Sequence, residues 1–308
     1  MDQGVSRRAF LAGIPAAAVV GVGIFYLKRP KDEQAAPTLV PLYSPNRVIA
    51  AGIEQRIPFA VVDDDVASTL KDDDTVKVRV LQNGEKIDEL SVAGRVVEHD
   101  HVGEDVDPGH QHAELFRYYP LRANLPDPGI YDLEVVFSGV TATMPVQAFA
   151  PDEIGLVVPG EKMPAIESAT VNDPGSVDTL CTRFEQECPF HDKSIAELLS
   201  ESKPFAVLVA TPALCVTAYC GPVLELLIEA ADRYPSISMC HIEPWENAAE
   251  VGNDYSNPDI RFADSVVELG LEFEPSLFLV DGKGELVERI DNLFDATELD
   301  SALKSLAN

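Results

Sequence analysis

The run "FAVLVATPALCVTAYCGPVLELLIEAADRY", Phe205 to Tyr234, constrains the chain more than any other. An apolar β-type segment leads into a loop with two cysteines, and the loop leads into a stretch with helical spacing of apolar residues. Val223, Leu224, Leu226, Leu227, Ala230 and Ala231 fall on one face, Glu225 and Glu229 face water, and Pro222 is tolerated at a first helical position. Then follow a strand "ISMCHIE", a loop region, a hairpin "EPSLFLVDGKGELVERIDN" turning on Asp281-Gly282-Lys283-Gly284, and a helical "ATELDSALKSLA". That order of elements predicts an α/β domain.

The preceding segment has a different rhythm. Between residues 40 and 150 short β-type runs recur, "RIPFAVV", "TVKVRVLQ", "ELSVAGRVVEH", "LFRYYPLRA" and "IYDLEVVFSG", divided by the turn signals "QNGE" and "LPDPG". They predict an antiparallel β-sandwich. Its turn "PDPGIYDLEVVF", with Tyr131 entering a strand two residues beyond Gly129, resembles the immunoglobulin-like accessory domains of exported proteins.

The amino terminus speaks to location. In "SRRAFLAGIPAAAVVGVGIFYLKRP" the pair Arg7 and Arg8 precedes Phe10 and Leu11 and an uncharged apolar run from Ala9 to Leu27. It resembles a twin-arginine (Tat) export signal. About 19 apolar residues nearly span a bilayer core, so the segment is expected either to be cleaved or to stay as a membrane anchor on the extracytoplasmic face. The expected organisation is 1–36 signal or anchor with linker, 37–150 β-sandwich, and 151–308 the cysteine-bearing α/β domain.

Export changes how cysteines are read. There are five, Cys181, Cys188, Cys215, Cys220 and Cys240, and outside the cytoplasm disulfides persist, so two pairs and one odd thiol is the simplest arithmetic. In a continuous helix, residues five apart are turned by about 140° and separated by about 7.5 Å along the axis. A disulfide needs Cα atoms within roughly 7 Å. Cys215 and Cys220 can therefore pair only if Cys215 lies in the loop before the helix. By its position after the strand Cys215 is expected to be the attacking thiol and Cys220 the resolving one, and a thiolate near a helix start is stabilised by unpaired N–H groups. A structural disulfide and a metal site are the competing readings of this pair. Cys181 and Cys188 are expected to close a small loop as a structural disulfide, with a second redox couple as the alternative. Cys240 is expected to be a buried, inert thiol, and His241, on the opposite face of its strand, a packed residue rather than a ligand.

From about Cys181 to Asn308 the chain resembles extracytoplasmic thioredoxin-like proteins of the thiol–disulfide oxidoreductase type. The resemblance rests on the element order, on "VATPALCVTAYCGPVLE" and on "FEPSLFLVDGKGELVER". It implies a thioredoxin-like fold and a cis-proline opposite the cysteines, at Pro275, with Glu274 before it. It also implies exported thiol or disulfide proteins as partners and no required cofactor. The spacing C-x4-C departs from the usual C-x-x-C. Pro212 stands three residues before Cys215, where a peroxiredoxin needs Thr or Ser, and no histidine follows His241 to serve a Sco-type copper site.

One further stretch bears on metals. "EHDHVGEDVDPGHQHAE" holds His99, His101, His110 and His112, two H-x-H pairs that can turn imidazoles the same way and suit copper or zinc. A polar hairpin with exposed histidines is the alternative. Nucleic acid is excluded as a partner by charge: 52 acidic against 23 basic residues give a formal charge of −29.

Overall fold

The structure is a computed structural model and describes residues 37–44, 46–62, 75–99, 114–137, 140–184, 186–215, 217, 219–252 and 257–307. These belong to one compact unit, Gln34–Asn308. Arg7 and Arg8, the apolar run after them, and His101, His110 and His112 lie outside the described residues. Among the described residues no helix is long and apolar enough to cross a membrane.

Eight strands fill the first part of the unit. They are β1 (Thr38–Pro41), β2 (Glu54–Val62), β3 (Thr75–Gln82), β4 (Glu85–Ala93), β5 (Arg95–His99), β6 (Glu114–Asn124), β7 (Gly129–Phe137) and β8 (Val140–Ala148). They form two antiparallel four-stranded sheets, ordered β1-β2-β6-β5 and β4-β3-β7-β8. Val76, Val78 and Val80 of β3 alternate inward, and Leu133 and Val135 of β7 meet them in the same core. The β3–β4 turn needs two left-handed residues, which Asn83 (φ 53°) and Gly84 (φ 80°) supply. Tyr131 locks the β6–β7 corner, its hydroxyl donating to Asp127 O at 2.8 Å and accepting from Asp127 N–H at 2.9 Å.

After a 3-10 turn, Pro151–Glu153, come α1 (Ile195–Ser200), β9 (Phe205–Val209), α2 (Cys220–Ala231), β10 (Ser238–Ile242), α3 (Ala248–Val251), α4 (Asp264–Glu268), β11 (Ser276–Val280), β12 (Leu286–Asp291) and α5 (Ala296–Leu306). The third sheet runs β10-β9-β11-β12, with β9 and β10 parallel and the other pairs antiparallel. It is buried on both faces. Phe205, Val207 and Val209 of β9 join the core of the first two sheets, while Ala206 and Leu208 face Leu224 and Leu227 of α2 and Leu299 and Leu303 of α5.

This architecture overturns the expected fold class, an α/β thioredoxin-like carboxy-terminal domain preceded by an all-β immunoglobulin-like domain and an apolar helix. The described chain is mostly β, in three sheets, and its five helices are short: α2 and α5 span 12 and 11 residues, and α1, α3 and α4 only 6, 4 and 5. The described residues of 154–193, assigned to the α/β part, contain no helix or strand. Pro159, Pro164, Pro174 and Pro189 interrupt any helical run there, and Gly160 and Gly175 turn at positive φ.

A buried ion pair ties the first sheet to α5. Arg56 of β2 bonds Glu298 through Nε at 2.8 Å, and donates to Asp291 O and Leu293 O at 2.7 Å each. The Tyr118 hydroxyl donates to the same carboxylate at 2.8 Å.

Candidate functional site

Cys215 sits in the loop after β9, and Cys220 is the first residue of α2. A helix start leaves backbone N–H groups without intrahelical partners. One of them, from Cys220, donates to the Cys215 sulfur at 3.3 Å. Tyr219 accepts the first helical bond, from Val223 N–H at 3.0 Å. Pro222 therefore lies inside the first turn, not at its first position, and its missing N–H leaves no bond unmade. Thr217 places its hydroxyl 3.3 Å from the Cys215 sulfur.

These contacts separate the two thiols. Hydrogen bonding from the Cys220 side chain, then from Thr217, outweighs burial and draws Cys215 down to about 6. Burial, then the neighbouring Cys215, pushes Cys220 well above the ordinary thiol range. Cys215 is half-buried and Cys220 wholly enclosed. The Glu274 carboxylate completes the group, since donor atoms of Cys215, Cys220 and Glu274 all lie within 4.8 Å of one another. Burial, then the charge of Cys215, lifts Glu274 to about 7. The Glu274–Pro275 peptide is cis and leads into β11.

A second group lies beneath the same loop. Cys181, Cys188, His191 and His241 are all buried, with donor atoms within 4.8 Å of one another. The Cys188 sulfur is 3.1 Å from His191 Nε2 and 3.4 Å from His241 Nδ1, and those two nitrogens are 3.4 Å apart. A hydrogen bond from Cys188 draws Cys181 below the ordinary thiol range, and Cys188 is raised in return. Both are free thiols, as are the other three cysteines. Either group, Cys181–Cys188–His191–His241 or Cys215–Cys220–Glu274, has donors close enough to hold a metal ion.

Thr182 joins the two groups. Its hydroxyl accepts from Ala213 N–H at 3.1 Å, two residues before Cys215, and donates to Glu243 at 2.8 Å. Burial holds the Glu243 carboxyl up at about 8. Arg183 then reaches α2, with Nη2 2.9 Å from Glu225.

Cys240 faces away, into the other core, and burial pushes its thiol up to about 12. His241 does pack, donating from Nε2 to Ala210 O at 2.9 Å, and its other nitrogen belongs to the cluster. Of the four histidines in the acidic stretch, His99 ends β5 opposite Glu114, and the other three lie outside the described residues. Sequence reasoning missed His191 and Glu243. The run C-x6-C-x2-H from Cys181 to His191 was the available signal, with the fourth donor 50 residues further along.

No protein-family model matches the chain, and no curated protein matches it. Among solved structures it is weakly similar to MTB DsbF in its mixed oxidized and reduced forms, at 15% identity, covering 46% of this chain and 95% of that chain, with a TM-score of 0.29. At that score the likeness supports no conclusion on fold or activity, and the chemistry rests on the geometry of the two cysteine groups.

Proposed function

We propose that this chain is an exported, membrane-anchored thiol–disulfide oxidoreductase that exchanges electrons with extracytoplasmic protein thiols through Cys215 and Cys220. One observation carries the reading: the sulfur of half-buried Cys215, in the loop before α2, accepts the first helix N–H, with a second, enclosed thiol beside it. A sulfur so placed is a thiolate near neutrality and attacks disulfides.

In the reducing direction, the Cys215 thiolate attacks a partner disulfide. The partner's S–S bond breaks, one of its sulfurs leaves as a thiolate that takes a proton from water, and a mixed disulfide forms. Cys220 then gives its proton to the Glu274 carboxylate and attacks the Cys215 sulfur. The second partner thiol is released and a Cys215–Cys220 disulfide remains, two electrons having passed to the partner. A second thiol compound resets the pair. Partners are exported proteins bearing accessible thiols or disulfides, and the amino-terminal segment supplies the membrane attachment.

Insulin reduction in the presence of dithiothreitol tests this. The wild-type chain should accelerate precipitation of the insulin B chain, and Cys215→Ser should return it to the uncatalysed rate. Equal rates for both proteins would reject the activity.

A further inference from the structure

We infer that Cys181, Cys188, His191 and His241 form a structural zinc site, distinct from the Cys215–Cys220 pair. Zinc held by two thiolates and two imidazoles is tetrahedral, with Zn–S near 2.3 Å and Zn–N near 2.0–2.1 Å. Those lengths place neighbouring sulfur and nitrogen donors about 3.5 Å apart and two nitrogens about 3.4 Å apart. The observed separations are 3.1 and 3.4 Å for sulfur to nitrogen and 3.4 Å between nitrogens.

The shell is built for a metal in two further ways. His241 donates its Nε2 proton to Ala210 O at 2.9 Å, which leaves the Nδ1 lone pair pointing into the cluster. A backbone acceptor on the far nitrogen is the usual means of orienting a metal-bound imidazole. His191 presents Nε2 to the same cluster, 3.1 Å from the Cys188 sulfur and 3.4 Å from His241 Nδ1. All four residues are at most 6% exposed, and a closed shell of four protein ligands is structural rather than catalytic.

The fold gives the site work to do. Residues 154–184 and 186–193 run without a helix or strand, a length that compact domains seldom leave unsupported. The segment's end lies along the edge strand β10, where His241 N–H donates to Phe190 O at 2.9 Å. A metal joining Cys181, Cys188 and His191 to His241 would fasten the segment to that edge and, through Thr182, steady the backbone at Ala213. Binding exchanges the thiol protons for Zn(II), releases them to solvent, and leaves two thiolate charges balanced by the ion.

Cobalt(II), which takes the same geometry and is coloured, tests the site in the full chain purified under reducing conditions. One equivalent should bind with a sulfur-to-cobalt charge-transfer band, and an equivalent of Zn(II) should bleach it. Cys188→Ser and His191→Ala should each lose the band. Cys240→Ser, on the opposite face of β10, should keep it, as should Cys215→Ser/Cys220→Ser, which separates this site from the redox pair. Because Cys188→Ser could unfold the segment, the wild-type chain supplies a second reading: chelation should lower its melting temperature, and zinc should restore it. No stoichiometric cobalt band from the reduced wild-type chain, together with a Cys181–Cys188 disulfide in non-reducing peptide maps, would overturn the inference. A band lost only in Cys215→Ser/Cys220→Ser would overturn it as well.

Discussion

The backbone N–H of Cys220 donates to the sulfur of Cys215 at 3.3 Å, so the helix that begins with one cysteine is capped by the other. The consequence is a reactive thiol. Drawn down to about 6, Cys215 is mostly thiolate at neutral pH, where an ordinary thiol near 8.5 is about 3% ionised. Iodoacetamide labelling followed by peptide mass analysis should modify Cys215 first, with a rate that rises through a midpoint near pH 6. Labelling that starts at Cys220, or a midpoint above pH 8, would reverse the assignment of the two cysteines.

Glu274 predicts a second titration. In the reduced protein it gains its charge near pH 7, after Cys215 has become anionic. In the mixed disulfide Cys215 carries no charge and burial alone raises Glu274, so release by Cys220 should quicken as pH rises through a midpoint above the ordinary carboxylate range and below about 7. Glu274→Gln should slow release at least about tenfold and flatten this dependence, since positioned bases contribute roughly 10²–10⁴ in rate. An unchanged pH profile in the variant would remove Glu274 from the chemistry.

The buried pair Arg56–Glu298 predicts where stability is concentrated. Removing one partner leaves the other charge enclosed, so Arg56→Ala should lower unfolding free energy by about 3–5 kcal/mol in urea titrations. Burial disfavours the Glu298 carboxylate, but Arg56 and then Arg122 outweigh it and its pKa falls below 4.5. That contribution is complete above the ordinary carboxylate value and is lost as pH drops through the lower, folded one. Wild-type protein should thus lose stability in acid more steeply than Glu298→Gln. Parallel acid curves would show that the pair carries no linkage.

The proposed export rests on Arg7 and Arg8, outside the described residues. Replacing both by Lys keeps the charge and breaks the pair, and should hold the full-length chain in the cytoplasm when cells are fractionated. Normal export of the double variant would remove the Tat assignment.

Local pattern made much of the β structure legible. The alternation in "TVKVRVLQ" spans β3 end to end, and Asn83-Gly84 is the hairpin turn between β3 and β4. The Asp281–Gly284 turn likewise closes β11 onto β12, with Gly284 N–H donating to Asp281 O at 2.9 Å. Residues 154–193 carry no period, and the described part bonds to turns and to strand edges elsewhere, as when Gly160 N–H donates to Leu286 O at 2.8 Å. For the same reason the Cys181–Cys188 spacing signalled proximity but not the two imidazoles. His191 meets His241 only because Phe190 docks on β10, a contact that local spacing does not encode.

The most direct test of the account is covalent capture. The reduced Cys220→Ser variant is mixed at neutral pH with a disulfide-linked peptide of known mass, quenched in acid, and mapped by non-reducing mass spectrometry. One peptide half should accumulate on Cys215, in near-stoichiometric yield, while wild-type protein resolves the adduct to a Cys215–Cys220 disulfide and Cys215→Ser carries none. An adduct on Cys220 in the Cys215→Ser variant, or no adduct on Cys215 in the Cys220→Ser variant, would contradict the account.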